Sequence, residues 1–143
     1  MVFDGRMLGR VEQAVLSRDG TVLRGLIVRR GFGGARWLAV QDVQVLGQVT
    51  IIAGCKPGKL PHDASFALGG VRDTAGLDLG RVTDVYLSAD NYRVIAIEMT
   101  LGPLEELRHG RMLARTFTVS PASEDPGQVL IPTGYVLEKV RRN

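Results

Sequence analysis

The sequence predicts an all-β fold of two tandem small antiparallel barrels packed together, with one short helical insertion in the second. Three observations lead there. The chain repeats itself at an offset of 71 residues, and its short aliphatic stretches are broken by glycine-containing turns. Of 143 residues 18 are Gly, while 45% are apolar, 23% charged and 6% aromatic, a composition of a folded, turn-rich chain with one mid-sized core or two small ones.

The repeat organises the rest of the chain. Leu8-Gly9-Arg10-Val11 falls on Leu79-Gly80-Arg81-Val82, Leu16-Ser17 on Leu87-Ser88, Asp19 on Asp90 and Gly31 on Gly102, eight identities in the 24 pairs from residue 8 to 31. After a four-residue slip, Arg36, Leu38 and Ala39 meet Arg111, Leu113 and Ala114. After five more, Gly47-Gln48-Val49 and Ile51 meet Gly127-Gln128-Val129 and Ile131. The slips fall in stretches that read as loops, where insertions cost least.

Each copy begins with a hairpin. Val11, Ala14 and Leu16 match Val82, Val85 and Leu87, and Asp19-Gly20 or Asp90-Asn91 then supplies a turn whose residues tolerate positive φ. The returning arms, residues 21–28 and 92–99, are rich in Val, Leu and Ile. In the second arm Ile95, Ile97 and Met99 alternate and are expected to share one face. Residues 36–40 and 49–53 read as two further strands. Pro103-Leu104-Glu105-Glu106-Leu107 is the helical insertion: Pro suits a first turn, acids suit the positive end, and the leucines are three apart.

Residues 1–53 form the first unit, 54–67 a linker marked by Pro57, Gly58 and Pro61, and 68–143 the second unit with a C-terminal strand and tail. Residues 68–73 open the second copy, and the first is expected to lack that strand. The segment 135–140, or the end of the linker, is expected to complete it, because a barrel short of a strand has open edges. Seven arginines against four acids give residues 1–53 a charge of +3, and six against nine give residues 71–136 a charge of −3. Opposite signs favour copies that face each other or a second chain head to tail.

The run from Leu68 through Gly69-Gly70-Val71-Arg72-Asp73, Gly76, Leu79-Gly80-Arg81-Val82 and Asp84-Val85, followed by Arg93-Val94-Ile95-Ala96-Ile97, resembles the opening of a PRC-barrel domain. That small β-barrel is shared by the photosynthetic reaction centre H subunit and the C-terminal half of the ribosome maturation factor RimM. The second copy resembles it over residues 68–132 and the first over residues 5–53. The pattern of spaced glycines specifies a fold and not a chemistry. The resemblance implies a protein-interaction or assembly module, without the RNA-processing domain of RimM-type factors or the membrane helix of the reaction-centre subunit.

Catalytic patterns are sparse. His62 and His109 stand without Cys or paired carboxylates at metal-ligand spacing and read as solvated histidines. The stretch 54–60 resembles a phosphate loop but is one residue short between its glycines and has Leu60 where Ser or Thr must reach magnesium. Gly31-Phe32-Gly33-Gly34 has Arg36 where a dinucleotide loop needs glycine. The pairs Glu105-Glu106 and Glu124-Asp125 are adjacent rather than facing across a cleft. Cys55, the single cysteine, reads as a half-buried strand-end residue at ease in a reducing cytoplasm. No enzymatic activity, cofactor or metal is expected. No apolar run is long enough to span a bilayer, and the first residues lack the apolar core of a signal peptide.

Two surfaces stand out as candidate partner sites. Arg24, Arg29, Arg30 and Arg36 cluster around one arm and its loop beside Phe32 and Trp37, and Glu105, Glu106 and Arg108 belong to the helical insertion. Arginine with aromatics can hold phosphate and stack on bases, which makes an RNA-binding or ribosome-maturation role the alternative. Trp37 aligns with Met112, however, which places it in a core, and a net charge of +3 is far from a nucleic-acid binder's stripe. The expected function is therefore a non-enzymatic scaffold or adaptor with a protein partner, self-association included.

Overall fold

The computed structural model describes residues 1–31, 33–47, 49–62, 68–120 and 127–140. These are mostly strand: β1 (Val2–Phe3), β2 (Arg6–Met7), β3 (Arg10–Leu16), β4 (Leu23–Arg29), β5 (Arg36–Ala39), β6 (Val43–Leu46) and β7 (Ile51–Ala53), then β8 (Gly70–Asp73), β9 (Asp78–Leu87), β10 (Val94–Thr100), β11 (Met112–Ala114), β12 (Thr118–Val119), β13 (Val129–Ile131) and β14 (Glu138–Lys139). A 3-10 turn covers Val40–Asp42, and the helix α1 covers Pro103–His109. All-β with one short helix is the class that the spacing of strands and turns predicts.

Strands β8 to β14 form one seven-stranded sheet in the order β12-β13-β8-β9-β10-β11-β14. Strands β1 to β7 form two sheets, β2-β1-β7-β6 and β3-β4-β5. The chain runs from β2 into β3 through Leu8 and Gly9, so the two smaller sheets follow the same order as the large one. Val2–Phe3 lies parallel to β7, as β8 lies parallel to β13. The opening strand of the first unit thus comes from the chain's own first residues. The C-terminal segment does not supply it: β14 pairs with β11 in the second unit. The linker contributes at another edge, where Gly58 and Trp37 exchange backbone hydrogen bonds and give β5 the neighbour that β14 gives β11.

The hairpins β3-β4 and β9-β10 share one register. Arg10 opposes Arg29 and Arg81 opposes Thr100; Leu16 opposes Leu23 and Leu87 opposes Val94. Both pairs carry two bulges, at Glu12 and Arg24 in one and at Thr83 and Ile95 in the other, all 71 residues apart. Gly9 (φ 148°) and Gly80 (φ 141°) adopt one backbone conformation, and a methyl on either would run into a carbonyl oxygen, Arg29 O at 2.6 Å or Thr100 O. Only glycine fits such a crossing.

The bulge corrects the expected face of β10. Ile97 and Met99 are buried, but Ile95 is half exposed, because the extra residue breaks the alternation and turns its side chain outward. The third strand corrects the alignment. Leu26 pairs with Leu38 and Ile27 with Trp37, whereas Ile97 pairs with Ala114 and Glu98 with Leu113. Trp37 therefore corresponds to Leu113, not Met112, and lies outside the core. A slip of one residue exchanges the faces of a strand, and core burial of Leu38 and Ala114 selects this register.

One core gathers Leu16, Leu23, Leu26, Val28 and Leu38; the other gathers Val71, Ile97, Met99, Val129 and Ile131. Full burial of each such side chain contributes about 1.5–3 kcal/mol. Leu68 and Val85 pack against both cores, and Leu87, Tyr92 and Val94 of the second hairpin pack against the first. At the junction Val22 bridges Arg93, Leu23 N donates to Tyr92 O and Val94 N donates to Thr21 O. Val22 meets the residue 71 positions from it, and Leu23 and Val94 each meet the residue two before their counterpart, so the hairpins join turn to turn about a local two-fold. Their open ends, at Arg10 and Arg29 and at Arg81 and Thr100, point away from each other. The ion pairs Arg29–Glu12, Arg111–Glu106 and Arg115–Glu138 each lie within one unit, while backbone hydrogen bonds, apolar packing and the Tyr92 hydroxyl, which donates to Val43 O at 3.3 Å, hold the junction.

Candidate binding surfaces

The open end of the first hairpin is a basic groove of about 680 Å³. The register of β3 and β4 sets Arg10 directly opposite Arg29, and Arg30 follows as β4 ends. Like charges facing across a strand pair cost stability. Glu12 relieves one of them: Arg29 Nε donates to its Oε1 at 3.1 Å and Nη2 to its Oε2 at 3.3 Å, a two-pronged pair. Arg10 and Arg30 remain exposed, and so do Met7 and Val11 on the same groove. Guanidinium groups beside apolar surface can hold a carboxylate or phosphate with an apolar neighbour.

The four arginines singled out in the sequence part company. Arg29 and Arg30 line this groove. Arg36 begins β5, exposed, opposite Val28. Arg24 sits at the bulge with its guanidinium 5.6 Å from the centroid of the Trp37 ring, a cation–π contact. That indole covers Gly25, where any side chain would overlap it. Phe32 lies outside the described residues. Sequence reasoning missed Arg10 and Met7; the hairpin turn at Asp19-Gly20 counts Arg10 opposite Arg29 once the bulges are allowed for.

The equivalent end of the second unit is a groove of about 780 Å³ lined by Gly80, Arg81, Thr100, Leu101 and Gly102, with α1 beside it. Leu101 and Thr100 replace Arg30 and Arg29, so this end is not basic. Glu106 is held inward, accepting from Thr100 Oγ1 at 3.0 Å and from Arg111 Nε at 2.9 Å. That hydrogen bond raises the Arg111 pKa above its ordinary value. Glu105 stands 3.7 Å from His109, and Arg108 is exposed. Leu104 and Leu107 are 73% and 85% exposed, so the helix turns its leucines outward.

The sequence also hid a buried carboxylate. Glu98 is 3% exposed on the outer face of β10, with Arg111 Nη1 at 3.5 Å and the Tyr86 hydroxyl donating to it at 3.4 Å. Nothing in the local pattern marks it, because Arg111 arrives through the α1 insertion. Cys55 packs half-buried against the first core, where burial and then Asp42 raise its thiol pKa. A raised thiol is a poor nucleophile. Among the described residues no group of three or more His, Cys, Asp or Glu is placed to hold a metal ion, and no helix is long and apolar enough to cross a membrane.

Compared with known proteins, the chain matches no family model and no curated sequence.

Proposed function

We propose that the chain is a non-enzymatic interaction or scaffold module of PRC-barrel type, two copies of one barrel-like unit, which takes an acidic protein ligand at the basic end of the first. The shared register, the paired bulges and the Gly9 and Gly80 crossings support descent of both halves from one unit. The observation that carries the function is the Arg10, Arg29 and Arg30 cluster: three arginines, one acid, and exposed Met7 and Val11 on a common groove. Apolar side chains between the cations suit a protein segment with carboxylates and aliphatic groups. The single thiol is suited to a reducing cytoplasm.

Affinity capture with the full chain and with its R10E/R30E variant, at about 50 and about 200 mM salt, tests this. The expected result is one protein, retained at both salts by the wild type, insensitive to ribonuclease and lost by the variant. Recovery of RNA whose binding falls steeply with salt would replace this reading with the nucleic-acid one. Equal capture by both chains would remove the groove from the function.

A further inference from the structure

The outer face of the hairpin is filled in one unit and open in the other, and the filled one shows what the open one accepts. In the first unit Trp37 lies on Gly25 and Arg24 lies over its ring. In the second unit the corresponding positions are Leu113, Ala96 and Ile95. Leucine is shorter than the indole it stands for, and a groove of about 930 Å³ remains, bounded by Tyr86, Ile95, Leu113, Arg115, Lys139 and Val140. Val15, the counterpart of Tyr86, is fully buried, whereas Tyr86 is 39% and Ile95 50% exposed. Ala96 itself is buried, so a guest rests on Tyr86 and Ile95 and not on the backbone.

The rim sets the charge of that guest. Arg115 Nε is paired with Glu138 at 3.2 Å, and Lys139 beside it is exposed, leaving the edge net positive. We propose that this groove is a docking site for an aromatic side chain carried on an acidic, extended segment of a partner protein. The ring rests on Tyr86 and Ile95, outside the place that Trp37 fills from within in the first unit, and a flanking carboxylate meets Lys139. This surface is distinct from the basic groove, and either proposal can fail without the other.

The test uses the isotope-labelled full chain and two acidic pentapeptides that differ only in a central Trp or Ala. The Trp peptide is expected to shift the amide resonances of Ile95, Leu113 and Lys139, and to bind at least about tenfold more tightly than the Ala peptide, the ratio that 1.4 kcal/mol represents. The A96G/L113W variant rebuilds the first unit's own filling in the second, and it is expected to stay folded and lose the Trp peptide. Equal binding of both peptides, shifts confined to the first unit, or undiminished binding by the filled variant would overturn the proposal. So would contacts from the chain's own residues 141–143 to Ile95 in the free protein.

Discussion

The two hairpins share one register and differ in what they leave exposed. β3-β4 closes its outer face with Trp37 and leaves its open end basic; β9-β10 leaves the outer face grooved and carries α1 beside its open end. Bulges and glycine crossings recur at equal spacing, while side chains that point outward do not. Backbone geometry has few solutions for a bulged hairpin, but an outward side chain is constrained only by what it touches. The differences between the two hairpins therefore gather in outward side chains, where they cost the fold little.

The largest test of that equivalence is at the crossings. Gly80→Ala is expected to cost about 3 kcal/mol or more, from the positive φ together with the overlap on Thr100 O, and Gly9→Ala slightly less. Denaturant midpoints measure both. A silent Gly9→Ala beside a crippling Gly80→Ala would mean that the two crossings are not structural equals.

The outer face comes next. Gly25→Ala is expected to destabilise by about 2 kcal/mol through the Trp37 ring and Leu38 O, and W37L should recover only the ring's share. Ala96→Gly should cost only about 0.5–1 kcal/mol, the ordinary entropy of a strand glycine. If Gly25→Ala proves as mild, the indole is not seated as described.

A smaller contrast concerns the amide Gln13 and its counterpart Asp84. Gln13 Nε2 is buried with no hydrogen-bond partner among the described residues, whereas Asp84 is exposed. Gln13→Met is expected to raise stability by about 1 kcal/mol, and Asp84→Met to change it by less than about 0.5 kcal/mol. Thermal melts of the two variants side by side give the comparison.

The smallest effect lies in the turns. Asp19 accepts from Ser17 Oγ and from Thr21 Oγ1 and N, and these bonds, Ser17's first, hold its pKa below the ordinary Asp value. Its folded pKa is the lower one, so its contribution is complete above the unfolded value, about 4, and is lost as the pH falls through the folded value. Stability measured between about pH 5 and pH 2 should fall less steeply in D19N. An unchanged slope would show that the carboxylate does not feel those donors.

Much of this fold was legible because repetition makes weak signals count twice. Spaced glycines and aliphatics located both hairpins, and Pro103 with two glutamates located α1. Ile95 was misplaced because a bulge inserts a residue without any composition signal. Identity matching sets the strand of Trp37 one residue out and so puts its side chain in a core, and only burial of Leu38 and Ala114 corrects that. The basic end was half legible: Arg29 and Arg30 stood out as neighbours in sequence, but Arg10 joins them through hydrogen bonding across the hairpin. The outer groove and the Glu98, Tyr86 and Arg111 cluster were invisible, since their members lie on separate strands and on the segment after α1.

The all-β class and the turn positions follow from the sequence alone, because backbone conformational preference and the period of a strand are local properties of adjacent residues. Which face each side chain takes, which arginines meet, and where an indole fills a groove that its counterpart leaves open were decided by the tertiary structure. Those depend on register, and register is settled only when both cores are packed at once.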